Sequence, residues 1–125
     1  MSLTGLIIDS PHIDNILDGL KSWEMRTTRT TRRGRIALIR KKSGTVIGTA
    51  KIVDSIGPLG KTDLLAARDK HLISEERLSL PEVAKYRYAW VLADVVRLEK
   101  PVPYKHPSGA VIWVALSDEV SKQIP

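Results

Sequence analysis

Gly19-Leu20-Lys21-Ser22-Trp23-Glu24-Met25-Arg26 marks a change of period in the chain. Before it, Ile13, Ile16, Leu17 and Leu20 repeat at helical spacing, and Gly19 suits a helix stop because glycine takes a left-handed backbone at little cost. After it the period is two. Trp23 and Met25 fall on one face of an extended segment, and Ser22, Glu24 and Arg26 on the other. Glu24 and Arg26 therefore point the same way. Lys21 stands at the corner, where alternation does not fix its direction.

Upstream, residues 3–8 read as a short buried strand, and Ser10-Pro11 as an N-cap with proline at the first helical position. Downstream, residues 27–33 hold no apolar side chain and read as an exposed loop. Gly34 restarts the sheet. Ile36-Ala37-Leu38-Ile39 is apolar on both faces, and Lys41-Lys42-Ser43-Gly44 turns it into a second strand over 45–56, a hairpin. Gly48 and Ala50 leave room above one face of that strand, for a crossing segment or for a ligand.

Gly57-Pro58-Leu59-Gly60 ends the hairpin. Thr62-Asp63 is expected to cap a helix running to His71, and Ser79-Leu80-Pro81-Glu82 matches a capping box, so residues 61–85 read as a helical insertion. Residues 88–98 form another long strand candidate and 110–116 the last, joined by an extended Pro101-Val102-Pro103 connection. Ser117-Asp118-Glu119 opens a brief final helix. Five to six strands with short helices and no βαβ rhythm predict an α+β fold, a small mixed β-barrel.

Charge is concentrated beside the corner. Residues 21–42 carry nine Lys and Arg and one acid, Glu24, a charge of +8 in a chain whose total is +6. A positive field confined to one stretch suits a polyanionic or phosphate-bearing partner. Arg29, Arg32, Arg33 and Arg35, with Arg40, Lys41 and Lys42, read as a phosphate track or as a solvated basic face, which salt dependence would separate. An acidic protein partner is a third, weaker reading of the same face.

At 125 residues, the chain is expected to be one domain over 1–125, able to bury a core without disulfides or metals. It has no cysteine, which excludes disulfides, thiolate catalysis and cysteine-ligated metals. The first apolar run is too short for a signal core and no later run is long enough to span a bilayer, so a soluble, cytoplasmic chain without membrane association is expected. His12, His71 and His106 lack metal-ligand spacing, and there is no phosphate loop or nucleophile elbow, so no metal or cofactor is expected. Phe is absent, which raises the weight of Trp23, Trp90 and Trp113. Trp23 or Trp90 could stack on a base, although Trp23, opposite Glu24, reads better as core.

Taken in order, Gly19-x-Lys21-x-x-Glu24-x-Arg26, Arg33-Gly34-Arg35, Gly48-x-Ala50 and His106-Pro107-x-Gly109-Ala110-Val111-Ile112-Trp113 resemble the ASCH domain. This is the activating-signal-cointegrator homology domain, a β-barrel related to the PUA fold. The resemblance implies a cleft at the barrel mouth that binds RNA, a nucleotide or a modified nucleoside, bordered by Lys21, Glu24 and Arg26. It also implies an alternative, because some small bacterial members are amidohydrolases that remove acetyl from acetylated cytidine with a Lys, a Thr and a Glu. The Lys falls on Lys21 and the Thr position on Glu24. The Glu falls on Glu75 or Glu76, depending on the alignment. At the Thr position a carboxylate would activate water rather than attack an amide itself.

Overall fold

The structure is a computed structural model that describes residues 2–125. In chain order the elements are β1 (Thr4–Ile8), α1 (His12–Leu17), β2 (Trp23–Arg26), β3 (Gly34–Arg40), β4 (Thr45–Ile56), α2 (Lys61–Ala66), α3 (Arg68–His71), α4 (Glu75–Leu78), α5 (Pro81–Ala84), β5 (Tyr88–Pro103), β6 (Trp113–Ala115) and α6 (Asp118–Lys122). The strands form one mixed sheet in the order β2-β5-β4-β3-β1-β6. β1 runs parallel to β3; every other pairing is antiparallel.

The sheet curls into a half-barrel. The long β4–β5 ladder shifts register at three places, after Val46, Thr49 and Ile52, and such irregularities bend a strand and add twist. Side chains then connect strands far apart in the sheet order. Trp90 of β5 and Trp113 of β6 stack with ring centroids 5.6 Å apart and planes 10° from parallel. Arg26 of β2 donates from Nη2 to the carbonyl of Ile7 in β1 at 2.8 Å.

Alternation sorts the apolar side chains. Leu6, Ile8, Ile36, Leu38, Ile52 and Trp90 pack with Ile13 and Ile16 of α1, while Ile7, Ala37 and Ile39 join Val46, Val114 and Leu116 in a second cluster. The apolar run in β3 is thus apolar on both faces because both are covered. A third cluster sets Met25 and Ala89 against Leu64, Ile73 and Leu78 of the helical insertion. Gly48 gives way to a crossing segment: a Cβ there would sit 2.5 Å from Leu17 Cδ2 and 2.8 Å from the Val96 carbonyl.

Local expectations fail where a partner outside the segment decides. Pro11, not Ser10, stands at the N-cap of α1, since the Ser10 hydroxyl accepts instead from Arg40 at 2.7 Å. Leu20 lies beyond the helix and is exposed. The helix expected to start at Thr62-Asp63 starts at Lys61 behind Gly60, whose N–H donates to Asp63 at 3.1 Å, and it breaks at Ala67. Ser79 closes α4 rather than opening α5; Ser74 caps the start of α4 by accepting from the Arg77 N–H at 3.3 Å, and α5 begins with Pro81 behind Leu80. β5 extends to Pro103 because Val102 pairs with Val46, so Pro101-Val102-Pro103 is strand rather than connection. β6 is only Trp113–Ala115, shorter than the predicted 110–116.

Candidate functional site

Lys21 gets its direction from the end of α1. Gly19 takes φ +78°, and the N–H groups of Leu20 and Lys21 both donate to the Asn15 carbonyl, at 2.9 and 3.2 Å. This wrap turns Lys21 into the protein, where only 4% of it is exposed. Ser22 then anchors the new strand, donating its N–H to Lys70 of α3 at 3.1 Å and accepting from Leu92 of β5 at 2.8 Å. Period two sets Glu24 and Arg26 side by side, as expected, and Glu24 is 6% exposed.

The three side chains form one ionic cluster. Arg26 donates to Glu24 Oε2 from Nε at 3.1 Å and from Nη2 at 2.8 Å, and Lys21 Nζ lies 3.6 Å from Glu24 Oε1. A carboxylate this buried survives because it is paired with hydrogen-bonded cations. Two cations against one anion leave one positive charge over. Burial lowers the Lys21 pKa below the ordinary lysine value, Glu24 pulling the other way. His12, from the first turn of α1, completes the group with Nδ1 3.2 Å from Lys21 Nζ. Burial, then the Lys21 charge, lowers the His12 pKa, which keeps the ring neutral and Nδ1 free to accept from the ammonium.

The cluster opens onto a cavity of about 480 Å³. Lys41, Arg77 and Lys85 add positive charge at its rim against Asp9 and Glu82, while Ile7, Val83, Tyr86 and Val111 supply apolar wall. That size and mixture match a small-molecule site, which typically spans about 300–1,000 Å³. Val111 arrives on a loop braced by His106, which bonds Tyr104 Oη through Nδ1 at 2.7 Å and the Ala110 carbonyl through Nε2 at 2.9 Å.

The other expected site residues divide. Glu75 and Glu76 lie exposed on α4 and do not line the cavity, where the insertion's acid is Glu82. Arg29, Arg32 and Arg33 line a separate hollow with Trp113. Arg35 lies elsewhere, bonded to the carbonyl of Pro125, and Arg40 is spent on Asp14 at 2.6 and 2.8 Å. Trp90 is 2% exposed and donates from Nε1 to the Thr28 carbonyl at 2.9 Å, so no base can lie on it; Trp23 packs beside the Met25 cluster with Lys70 over its ring. Sequence reasoning missed His12, Arg77, Tyr86 and Glu82. Only the distant end of α1 and the fold of the insertion bring them near Lys21, and no local spacing signals that.

The molecule is thus an α+β mixed half-barrel whose first helix turns a lysine into a cleft beside a carboxylate and an arginine. The ASCH domain model matches residues 6–102, and the chain belongs to the ASCH domain family. Among solved structures it is similar to the crystal structure of ASCH from Zymomonas mobilis, with a TM-score of 0.69 at 16% identity over 96% of this chain and 91% of that one. A tyrosine-to-phenylalanine mutant of that protein gives a TM-score of 0.67 at 16% identity, covering 98% and 96%. A serine-to-alanine mutant gives 0.64 at 17%, covering 96% and 92%. No curated protein matches the chain. No helix among the described residues is long and apolar enough to cross a membrane.

Proposed function

We propose that this chain is an RNA- or modified-nucleoside-binding ASCH module whose ligand enters the Lys21–Glu24–Arg26 cleft. The observation that carries the reading is the buried ionic cluster with one positive charge in excess, set at the end of a cavity of about 480 Å³. Glu24 Oε1, facing Lys21 and free of Arg26, accepts from the amino edge of a base. Lys21 and Arg26 meet a carbonyl or phosphate oxygen, for which Arg's fixed fork is well shaped. Lys41, Arg77 and Lys85 at the rim favour an anionic approach.

The test is calorimetric titration with cytidine, acetylated cytidine and the other nucleosides, and with a short oligoribonucleotide. Binding in wild type, and a loss of about tenfold or more in Glu24→Gln and Lys21→Met, is the expected result. Such a loss corresponds to one charge-assisted hydrogen bond of about 1.5–3 kcal/mol. Equal binding in all three proteins would remove the cleft from the reading.

One observation favours the second reading, an amidohydrolase acting on acetylated cytidine or a related small amide. A lysine with lowered pKa bonded to a neutral histidine is a pair suited to moving a proton. Water would add to the amide carbonyl, releasing acetate and the free amine, with Glu24 activating the water. Glu75 and Glu76 do not line the cleft, so in this reading Lys21, with His12 beside it, gives the departing amine its proton while Glu24 takes one from water. Absence of acetate release from acetylated cytidine, in wild type and Glu24→Thr alike, would discard it.

A further inference from the structure

The second hollow sets an indole ring among arginines. Arg29, Thr30, Thr31, Arg32 and Arg33 surround, with Trp113, about 600 Å³ of space. Trp113 is half-buried and its ring is fixed by the stack on Trp90. The Arg32 guanidinium lies over that ring, 4.5 Å from its centroid. Arg29 donates to the Gly57 carbonyl at 2.9 Å, and Arg33 donates to the Thr30 and Arg32 carbonyls at 3.0 and 2.9 Å. The Arg32 side chain has no hydrogen-bond or ion-pair partner among the described residues. The ring alone holds it, and an exposed cation–π contact is a weak hold.

We propose that this hollow is a second subsite for single-stranded RNA, in which a nucleobase stacks on Trp113 in the place that Arg32 occupies. Arg32 then turns with Arg33 to the flanking phosphate. Every base has a π face, so the platform is indifferent to sequence, and the exchange leaves no cation unpaired. A rigid, pre-stacked indole loses little entropy on taking another ring. Among the described residues the only acid in an ion pair with this loop is Asp54, 3.8 Å from Arg33. An acidic peptide would satisfy the guanidinium groups but bring nothing flat to Trp113. The inference rests on the RNA reading above but uses none of the cleft residues.

The experiment compares an eight-nucleotide oligoadenylate, inorganic polyphosphate of similar charge and polyglutamate, titrated at low and at raised salt into wild type, Trp113→Leu and Arg32→Ala. The oligoadenylate is expected to bind more tightly than polyphosphate. Trp113→Leu is expected to lose about five- to a hundred-fold in oligoadenylate affinity with polyphosphate affinity unchanged, the range that stacking of one base supplies. Arg32→Ala is expected to flatten the salt dependence for both anions, as removal of one phosphate contact does. If Trp113→Leu does not fold, fluorescence of Trp23→Phe decides: quenching by oligoadenylate and not by polyphosphate supports the platform, and equal responses overturn it. Tight oligoadenylate binding that Trp113→Leu leaves unchanged overturns the subsite while RNA recognition stands. Polyglutamate binding as tightly as oligoadenylate overturns the RNA reading together with it.

Discussion

The Arg26 guanidinium donates from one nitrogen, Nη2, both to Glu24 Oε2 and to the main-chain carbonyl of Ile7, each at 2.8 Å. One side chain therefore orients the cleft carboxylate and ties β2 to β1, four places away in the sheet order. Site geometry and closure of the half-barrel share a residue.

Lysine in its place keeps the charge but not the fork. Arg26→Lys is expected to lower stability by about 1–3 kcal/mol, because it leaves a buried carbonyl or carboxylate oxygen short of a donor. Arg26→Ala is expected to cost about 3–5 kcal/mol, since Glu24 then keeps only the more distant Lys21. Urea unfolding measures both. Equal midpoints for wild type and Arg26→Lys would show that the link to Ile7 contributes nothing.

Acid is expected to weaken the fold before its carboxylates titrate. His71 is 1% exposed; Nε2 donates to the Leu64 carbonyl at 2.6 Å and Nδ1 accepts the Ile73 N–H at 2.9 Å, an arrangement only the neutral ring can make. Burial lowers the pKa of His71, and likewise of His12, below the ordinary value of 6.5. The unfolded chain thus takes up protons first as pH falls. The stabilising contribution is complete above about pH 6.5 and is lost as pH drops through the folded-state values. Urea midpoints should be flat from about pH 8 to 7 and decline below about 6.5. His71→Gln should be less stable by about 1–3 kcal/mol at pH 7 and show a shallower decline. An unaltered pH profile in that variant would sink the assignment.

Gly48 should tolerate no side chain. Gly48→Ala puts a methyl against Leu17 and against the Val96 carbonyl, and an expected cost of about 1–3 kcal/mol follows from overpacking. Leu17→Ala in the same chain should not restore stability, since the carbonyl belongs to the backbone of β5. Thermal melts of the single and double variants check this; a double variant as stable as Leu17→Ala alone would contradict it.

The features legible in the sequence were those set by short-range period. Trp23 and Met25 against Glu24 and Arg26, the hairpin around Ser43-Gly44, and the two-faced apolar run at Ile36 to Ile39 all follow from alternation and turn chemistry. These elements predicted an α+β mixed β-barrel, which the structure shows as an open half-barrel, and the family came instead from the resemblance of four motifs taken in order. The direction of Lys21 was not legible, because it depends on how Gly19 closes α1. Nor was the acid of the insertion: Glu75 and Glu76 are exposed on α4, whereas Glu82 reaches the cavity, a choice made by the turn through Ser79 and Leu80. The caps misread at Ser10 and Ser79 fail through neighbours unseen in the local pattern: the Ser10 hydroxyl accepts from Arg40, and Ser79 ends α4, its hydroxyl donating to the Glu75 carbonyl.

The cleft is walled by Ile7 at one end of the chain and Val111 near the other, and β1 has β6 as a neighbour in the sheet. During translation a ribosome delivers Lys21, Glu24 and Arg26 early, yet the wall opposite them is missing until the last strand has left the exit tunnel. A nascent chain consequently carries its charges without a container for them, and acquires the shape of the cleft only after β6 has emerged.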